Sequence, residues 1–335
     1  MVASIHKRRA LRALAGLTLA PVLAPVLGPG RALAQAPAAW PNRLVKVVVG
    51  VEPGGPSDLV TRAVARQVAA STGQSFVVEN RGGAGGALGM QAVAAAPADG
   101  YTLAWGAFSA IILRPALNVS AAQFESEGVL VPVSIMADQA SVLTIHGGMK
   151  ATNLRELIQE LKANPGKYNY GSPGVGHIAH LLGELFARQA GVRITHVPYN
   201  GDRANFQGLV RGDVHLSFTA PNLYAGLVDK VRLIAAAAPR RVSAYPNVPT
   251  LAEEGIEGLG YTAWHALFAP LATPRPVLER IDREVKAALT TAEVRGTIEN
   301  MGLSPSALGH EDFVARVARE RTEWRRIARE LNIKA

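Results

Sequence analysis

The chain has 335 residues, a formal net charge of +9 and no cysteine. The absence of cysteine excludes disulfide frameworks, thiol nucleophiles and thiolate metal sites. The first 34 positions hold five basic residues and no acid, so the rest of the chain carries only +4, which is too mild to indicate a nucleic-acid-binding protein. About 300 residues beyond that segment suffice for two domains with large cores.

The N-terminal segment has the three parts of a secretory signal. Basic residues at positions 7–12 precede an apolar run to about Leu27, and the small residues at 32–34 form a cleavage site that places the mature start near Gln35. A retained membrane anchor is the alternative, but three prolines interrupt the run and it falls short of the ~20 apolar residues that a span needs. The pair Arg8-Arg9 resembles an incomplete twin-arginine signal, so the choice between the Sec and Tat export routes stays open.

The first run of predicted elements alternates strands and helices. An apolar strand leads into a helix that Ser57 or Asp58 caps and Gly73 ends, and the glycines of 82–86 open an Ala-rich helix. The strands predicted in this run are Arg43–Gly50, Ser75–Glu79 and Tyr101–Trp105.

A second run begins near Val142, and helical patterns dominate after Pro274. Its predicted strands are Val142–Ile145, Tyr168–Tyr170, Thr195–Pro198, Leu216–Thr219, Val231–Ala236 and Tyr261–Ala269. Its predicted helices are Asn153–Ala163, His177–Gln189, Ala204–Val210 and Pro274–Ala288.

This alternation predicts an α/β protein with largely parallel sheets. The C-terminal helices are too few to fold alone, so we expect them to return to the first domain. One domain would comprise 41–138 and 262–335, and the other 140–258. The chain would then cross between the domains twice, near 138–141 and 258–263, which makes a hinge and a ligand cleft between the domains.

Three segments run from an apolar strand through a glycine-rich turn into a helix start, namely 47–58, 168–180 and 195–206. Each places unpaired backbone N–H groups at the positive end of a helix dipole, which is an anion site. Three such ends that face one crevice would hold a small carboxylate without an arginine.

Signatures of catalysis, cofactors and metals are weak. The chain has no GxSxG, HExxH or GxxxxGK[ST] motif, and the glycines of 82–89 lack dinucleotide-binding spacing, so a tight turn between strand and helix is favoured there. His177 and His180 lie one helical turn apart but lack a third metal ligand nearby. We expect no cofactor and no metal, with His177 as a donor at the helix start and His180 in the core.

Glu52 lies inside the first glycine turn, where its charge would weaken the binding of a second ligand carboxylate. It either points to solvent or contacts an amine, amide or hydroxyl of the ligand. Four aromatic residues at strand ends could wall an apolar ligand body or pack in the core, and Phe108 and Tyr199 are favoured as walls over Trp105 and Trp264.

The chain resembles the substrate-binding proteins of tripartite tricarboxylate transporters, the Bug family. The resemblance is collinear over nearly the whole mature chain and rests on Trp40-Pro41, PGGPSD (53–58) with Arg62, VVENRGGAGGALG (77–89), ADGYTL (98–103), YGSPGVGHIAHL (170–181), HVPYNG (196–201), YPNVPTLAEEG (245–255) and the terminal helices with Trp324.

This resemblance implies a two-domain periplasmic-binding-protein (Venus flytrap) fold, type II-like, in a monomeric periplasmic protein that is not an enzyme. Such a protein captures a small organic carboxylate in the interdomain cleft and delivers it to a membrane permease. Backbone amides of the loops 51–58, 171–177 and 198–201 would hold the ligand. The candidate ligand-binding residues are Val51, Glu52, Pro53, Gly54, Gly55, Ser57, Asp58, Phe108, Ser109, Ser172, Gly174, Val175, Gly176, His177, Tyr199, Asn200 and Gly201.

Several residues depart from the family pattern. Val51 stands where an aromatic residue is usual, Glu52 and His177 replace commoner small or neutral residues, and His215 replaces an aspartate. These departures weaken the expectation of a simple dicarboxylate ligand. Two other functions stay open, namely a sensory protein whose closed form engages a membrane sensor kinase and, with no motif in its favour, an exported enzyme.

Overall fold

A computed structural model describes residues 40–82, 86–117, 126–224, 229–306 and 308–331. The predicted signal segment 1–34 lies outside the described residues. Within the described part of the chain, no helix is both long enough and apolar enough to cross a membrane.

The first lobe is built on a six-stranded sheet in the order β11-β4-β10-β3-β1-β2. Its strands are β1 (Val45–Val49), β2 (Phe76–Asn80), β3 (Thr102–Ala107), β4 (Leu130–Gln139), β10 (Ala263–Pro270) and β11 (Ser304–Pro305). Its helices are α1 (Pro56–Thr72), α2 (Ala87–Ala94), the short α3 (Arg114–Ala116) after a π-helical turn at Ser109–Leu113, α7 (Arg275–Leu289), α8 (Ala292–Asn300) and α9 (His310–Leu331).

The second lobe is built on a five-stranded sheet in the order β7-β6-β8-β5-β9. Its strands are β5 (Ser141–His146), β6 (Asn169–Ser172), β7 (Thr195–Pro198), β8 (Leu216–Thr219) and β9 (Val231–Ala237). Its helices are α4 (Leu154–Ala163), α5 (Ile178–Ala190), α6 (Asp202–Arg211) and a 3₁₀ turn at Pro221–Tyr224.

The expectation of largely parallel sheets is wrong, because both sheets are mixed. In the first sheet β1 pairs in parallel with β2 and β3, but β10 pairs antiparallel with β3 and β4. In the second, β6 pairs in parallel with β7 and β8, whereas β5 is antiparallel to β8 and β9. The antiparallel strands β5 and β10 are those that the chain enters after passing between the sheets, so no βαβ crossover fixes their direction.

The chain passes from the first sheet to the second between Gln139 and Ser141 and returns between Ala237 and Ala263. The long strand β4, which the sequence pattern did not predict, lies between β10 and β11. The C-terminal helices pack on it, since Asp282 of α7 accepts a hydrogen bond from Ser134 at 2.8 Å. The exact division into domains 41–138 with 262–335, and 140–258, stays a prediction.

Glycine allows the first strand to approach α2 closely. A Cβ on Gly50 would stand 2.6 Å from the Cα of Gly86, the N-cap of α2. The close approach of Gly50 to Gly86 supports the tight packing turn that was favoured over dinucleotide binding, while residues 83–85 lie outside the described residues.

One apolar cluster covers the α1 face of the first sheet. It joins β1, β3, α1 and α7 through buried residues that include Val47, Val64, Trp105 and Val285. The helix α1 therefore lies on the same face as Trp105, and its N-terminus starts where β1 ends. This placement puts the start of α1 at the carboxyl edge of the first sheet.

Candidate functional site

The first predicted anion loop joins β1 to α1. The N-cap of α1 is Gly55 in extended conformation with Pro56 at the first helical position, so the expected cap by Ser57 or Asp58 is wrong. Proline suits that position because its fixed φ matches the helix and it lacks an N–H that would be unpaired. Both Ser57 and Asp58 lie inside the first turn. Pro53 and Gly54 are exposed at the tip of this loop.

The carboxylate of Asp58 holds this loop in place. It is 2% exposed and accepts hydrogen bonds from the Gly54 amide at 3.0 Å, Arg62 Nε at 2.9 Å and Asn80 Nδ2 at 2.9 Å. Burial raises the pKa of Asp58, but the hydrogen bonds from Arg62, Gly54 and Asn80 outweigh it, so that the pKa is lowered overall. Because the Gly54 amide is paired with this carboxylate, it is not a free donor for a ligand.

Unpaired amides nevertheless remain at the start of α1. In residues 40–82, which include α1, the amides of Ser57 and Asp58 donate to no acceptor in the described protein. They lie at the positive end of a 17-residue helix. Free amides at the positive end of a helix suit an anion, and anion binding at this end of α1 stays a prediction.

In the second predicted anion loop, 171–177, hydrogen bonds within the protein take up two of the backbone amides. Ser172 Oγ accepts from the Gly174 amide at 3.2 Å, and His180 Nδ1 accepts from the Gly176 amide at 3.4 Å. Gly174 has a φ of +141°, a backbone conformation that residues other than glycine rarely adopt. Val175 is half-buried beside it.

His177 is the N-cap of α5. Its Nδ1 accepts a hydrogen bond from the Ala179 amide at 3.2 Å. Burial lowers the pKa of His177, and the carboxylate of Asp202 opposes that shift. A neutral ring that accepts through Nδ1 carries its proton on Nε2, and the role of that Nε2–H as a ligand donor stays a prediction.

His180 is a core residue, as expected. It is 5% exposed, and its ring stacks on that of His196 with centroids 4.0 Å apart. Among the described residues, no group of three side chains of the His, Cys, Asp or Glu type is arranged to hold a metal ion.

The second and third predicted loops are joined to each other. The Tyr199 amide donates to the Ser172 carbonyl at 2.8 Å, and the Gly201 amide donates to the Pro173 carbonyl at 3.0 Å. Gly201 is the N-cap of α6, and Asn200 is exposed beside it. Within the described ranges, the amides of Asp202 and Arg203 in the first turn of α6 have no acceptor. The structure thus brings loops 172–177 and 199–201 together with a free helix N-terminus.

Of the two aromatic walls favoured from the sequence, Phe108 is wrong, whereas Tyr199 stays a prediction. Phe108 is 1% exposed and packs edge-on against Trp264 and Trp324, with ring centroids 5.9 and 5.8 Å away. The ring of Tyr199 lies between β6 and α6, where a Cβ on Gly208 would meet its hydroxyl at 2.4 Å. Phe108 is therefore a packing residue, and the half-buried ring of Tyr199 packs against its neighbouring elements.

Other candidate residues sit at the edge of the first lobe. The half-buried Val51 accepts through its carbonyl from Asn80 Nδ2 at 3.0 Å. Glu52 is exposed, and its Oε1 would lie 2.8 Å from a Cβ on Gly82. Ser109 is half-buried, and its carbonyl accepts from the Arg114 amide. The role of these residues in ligand binding stays a prediction.

Sequence reasoning missed a buried histidine of the first lobe. His265 on β10 pairs with Ala107 at the end of β3 and stacks on Trp105 with centroids 5.7 Å apart. Burial lowers the pKa of His265 to about 4, and Asp202 of the second lobe opposes that shift. Asp202, at the start of α6, therefore lies near enough to His265 of the first sheet to act on it electrostatically. A lone histidine in an apolar strand was the signal in the sequence.

Comparison with known proteins places this arrangement in a family. The family model described as tripartite tricarboxylate transporter family receptor matches residues 60–333. The chain belongs to this receptor family. The receptor is 31% identical to Protein BugT of Bordetella pertussis over 300 residues, which cover 88% of this chain and 91% of that protein. The resemblance to the Bug family noted from the sequence is confirmed.

Two solved structures extend the comparison of this receptor. Rpa4515 of R. palustris with adipate has a TM-score of 0.75 and 28% identity over 88% of this chain and 99% of that chain. MatC from Rhodopseudomonas palustris with bound malate has a TM-score of 0.72 and 28% identity over 86% and 100% of the two chains. These likenesses confirm the two-domain α/β fold of periplasmic solute-binding proteins, the class of proteins to which this receptor's family and fold belong.

Proposed function

We propose that this receptor is a periplasmic solute-binding protein that captures a small organic carboxylate between its lobes and delivers it to a permease of the tripartite tricarboxylate type. The observation that carries the proposal is the pair of free helix N-termini, α1 at the edge of the first lobe and α6 at the edge of the second. The adipate in Rpa4515 and the malate in MatC support a ligand of this chemistry.

The binding chemistry follows from the donors. The amides of Ser57 and Asp58 and those of Asp202 and Arg203 offer hydrogen bonds and the positive ends of two helix dipoles to a carboxylate. His177 adds the Nε2–H donor beside the second lobe's loops. A charged hydrogen bond contributes about 1.5–3 kcal/mol, so each such contact changes affinity about ten- to hundredfold.

Capture would proceed by closure of the two lobes. Two chain connections join them, which is the arrangement of a hinge. Asp202, at the N-terminus of α6, acts electrostatically on His265 of the first lobe, so a ligand held there would be enclosed by both lobes. A carboxylate that contacts both lobes binds the closed form better than the open one and shifts the population towards it. A permease that recognises the closed form would then bind only the ligand-loaded receptor.

Two acidic side chains near the proposed site restrict the class of ligand that it would bind. Glu52 lies at the first loop and Asp202 at the third, and each disfavours a second ligand carboxylate nearby. The proposed ligand therefore carries one carboxylate together with an amine, amide, hydroxyl or aromatic body rather than being a simple symmetric dicarboxylate.

Removing one backbone donor from α6 tests the function. Proline lacks an N–H and is tolerated in the first turn of a helix. Arg203→Pro removes a free amide at the second position of α6, and Arg155→Pro makes the same change at the second position of α4. Arg203→Ala separates the loss of the side chain from the loss of the amide.

The readout is titration calorimetry with malate, adipate and a panel of amino, amide and aromatic acids. We expect Arg203→Pro to weaken binding of the best ligand about tenfold or more relative to Arg203→Ala, while Arg155→Pro binds like the parent. Equal affinity of Arg203→Pro and Arg203→Ala would place the carboxylate elsewhere. Loss of uptake of that ligand in cells lacking the receptor would support transport, whereas normal uptake with an altered transcriptional response would support the sensory alternative.

A further inference from the structure

Both connections between the lobes leave the first sheet at the same place. The strand β4 ends at Gln139, and a single residue separates it from the start of β5 in the second lobe. The chain returns from the second lobe to β10, which begins at Ala263. These two strands are antiparallel neighbours, and Gln139 pairs with Ala263 at their common end. Movement of the lobes about a hinge would therefore turn on this one end of the β4–β10 pair.

Strand pairing by itself holds that end of the sheet weakly. The register between β10 and β4 shifts between His265 and Ala266, so only three residue pairs, those of Ala263 to His265, lie between the irregularity and the connections. An irregularity of this kind interrupts the ladder of hydrogen bonds and lets the strand bend. Side chains are needed to keep the two connections from splaying or twisting apart.

One arginine of α9 is bonded to both connections. Arg316 Nη1 donates to Asp138 Oδ1 at 2.8 Å, one residue before the end of β4. Its Nη2 donates to the carbonyl and to the hydroxyl of Thr262, at 3.2 and 3.0 Å, one residue before β10 begins. Because the guanidinium is a planar fork with its donors in fixed directions, it sets the distance between its two partners. Arg316 therefore bridges the two connections at the point where they leave the first sheet.

The bridging guanidinium is itself anchored on α9 and largely buried. Its Nε donates to Glu320 Oε1 at 2.8 Å, and Glu320 Oε2 accepts from Trp264 Nε1 on β10 at 2.8 Å. The side chains of Arg316 and Glu320 are only 15% and 13% exposed. Burial lowers the pKa of Arg316, but the carboxylates of Glu320 and Asp138 raise it overall, so the arginine stays charged. A shielded, fully bonded arrangement of this kind is more rigid than an exposed ion pair.

We propose that Arg316 is a positioning residue for closure of the lobes. It holds the two hinge connections at a fixed separation, so that the lobes pivot about one axis and neither twist nor slide against each other. The inference rests on the proposed function, in which one carboxylate contacts the free amides of both lobes. Without the bridge, a smaller fraction of the lobe arrangements can bind, and the apparent affinity falls by that fraction although Arg316 lies outside the predicted ligand loops.

Pulsed electron paramagnetic resonance measures the range of lobe arrangements directly. The chain has no cysteine, so Ala70→Cys on α1 and Ala163→Cys on α4, both at exposed positions, place one spin label on each lobe. We expect Arg316→Gln to broaden the distribution of label distances in the ligand-free receptor. The matched control is Arg321→Gln, because Arg321 is a half-buried arginine of the same helix that donates to Ser126 within the first lobe at 2.8 Å. This control should keep the parent's distribution.

Ligand affinity and stability provide two further readouts. Titration calorimetry with malate, adipate and the other acids of the panel should show binding weakened about threefold or more in Arg316→Gln and unchanged in Arg321→Gln. Urea denaturation of the same variants separates positioning from stability. Reduced stability with the parent's distance distribution and affinity would make Arg316 a structural residue and would overturn the proposal.

A double variant covers the case in which Arg316→Gln does not fold, since that substitution leaves the largely buried carboxylate of Glu320 without its cation. Arg316→Gln/Glu320→Gln removes both charges and keeps an amide oxygen to accept from Trp264 Nε1. It should show the same broadening, and a folded variant with a distribution as narrow as the parent's would contradict the inference while carboxylate capture stands. The distance measurement needs no ligand, so a receptor that binds no carboxylate of the panel would refute the proposed function separately.

Discussion

Asp202, in the first turn of α6, lies close enough to His265, on β10 of the opposite lobe, to oppose the lowering of its pKa by burial. This electrostatic relationship links residues of the two lobes. Asp202 belongs to the first turn of α6, whose amides, like those at the start of α1, donate to no acceptor in the described protein. A small anion held between these helix ends would contact both lobes at once, and the predictions below depend on that geometry.

His177→Asn separates the capping role of this residue from its ligand contact. Asparagine is a good N-cap and can accept from the Ala179 amide, but it lacks the Nε2–H donor. We expect the free energy of unfolding to change by less than about 0.5 kcal/mol and the affinity for the best carboxylate to fall about tenfold. The measurements are urea denaturation and titration calorimetry.

The control for His177 is Asn153→Ala at the start of α4. Asn153 caps that helix by accepting from the Glu156 amide at 3.0 Å. Its loss should lower stability by about 1 kcal/mol and leave affinity unchanged. If His177→Asn bound ligand as tightly as the parent, the imidazole would not face the crevice.

Glu52→Gln tests whether the acid of the first loop selects against a second carboxylate. Repulsion in a partly desolvated cleft is worth about 1–3 kcal/mol, so the variant should bind dicarboxylates such as adipate about ten- to hundredfold more tightly. It should bind amine-bearing acids less tightly. The comparison is made by calorimetry across both ligand classes.

Glu299→Gln on α8 is the matched charge change outside the crevice. Glu299 is half exposed in an ion pair with Arg295, and such pairs contribute little. Unchanged affinities are expected for this control. Equal binding of both ligand classes by the parent and Glu52→Gln would mean that Glu52 faces solvent, and a simple dicarboxylate would then be the expected ligand.

Tyr199 should behave as a packing residue. Its ring lies against Gly208 of α6, so Tyr199→Phe should keep ligand affinity within about twofold, whereas Tyr199→Ala should lower the free energy of unfolding by roughly 2–3 kcal/mol. Thermal unfolding and calorimetry on both variants check this. A tenfold loss of affinity in Tyr199→Phe would show instead that the Tyr199 hydroxyl contacts the ligand.

Stability should fall with pH below neutrality. Burial lowers the pKa of His196 and of His265 to about 4, so the unfolded chain takes up more protons than the folded one as pH falls from about 6.5. The stability is full above about pH 6.5 and falls by about 1.4 kcal/mol per pH unit for each histidine until about pH 4. Urea denaturation at pH 7, 6 and 5 measures the slope. His196→Gln should reduce that slope, and an identical slope would contradict the assignment.

The sequence predicted local structure well and long-range geometry less well. The strands Thr195–Pro198 and Leu216–Thr219 match the structure to the residue, since short apolar runs bounded by turns define them. The strand β4 was missed because Pro132 interrupts a segment without alternation. The prediction of largely parallel sheets failed at β10, because its antiparallel pairing with β3 joins residues about 160 positions apart, and no local pattern reveals such a pairing.

The backbone features of the candidate site were predictable from the sequence, whereas its side-chain contacts were not. Glycine turns and helix starts are local signals, and the free amides of α1 and α6 followed from them. The orientation of Phe108 and the meeting of His265 with Asp202 depend on packing between distant elements. The sequence predicts Asp58 as a ligand-binding residue, but its carboxylate is hydrogen-bonded to Gly54, Arg62 and Asn80. These bonds form only in the folded loop, so the sequence could not reveal them.

The most direct test of the central claim is calorimetry of the mature receptor against small carboxylates, repeated on Gly174→Val. Gly174 has a φ of +141°, which valine rarely adopts, and a Cβ at this position would lie 3.5 Å from the Tyr199 carbonyl oxygen. Valine would therefore distort the joined second and third loops. Gly166→Val, at a left-handed glycine with open space around it, is the matched control. The account predicts one carboxylate bound per chain by the parent and by Gly166→Val, with binding lost in Gly174→Val. Binding of that carboxylate by Gly174→Val with the parent's affinity, or no binding of any carboxylate by the parent, would contradict it.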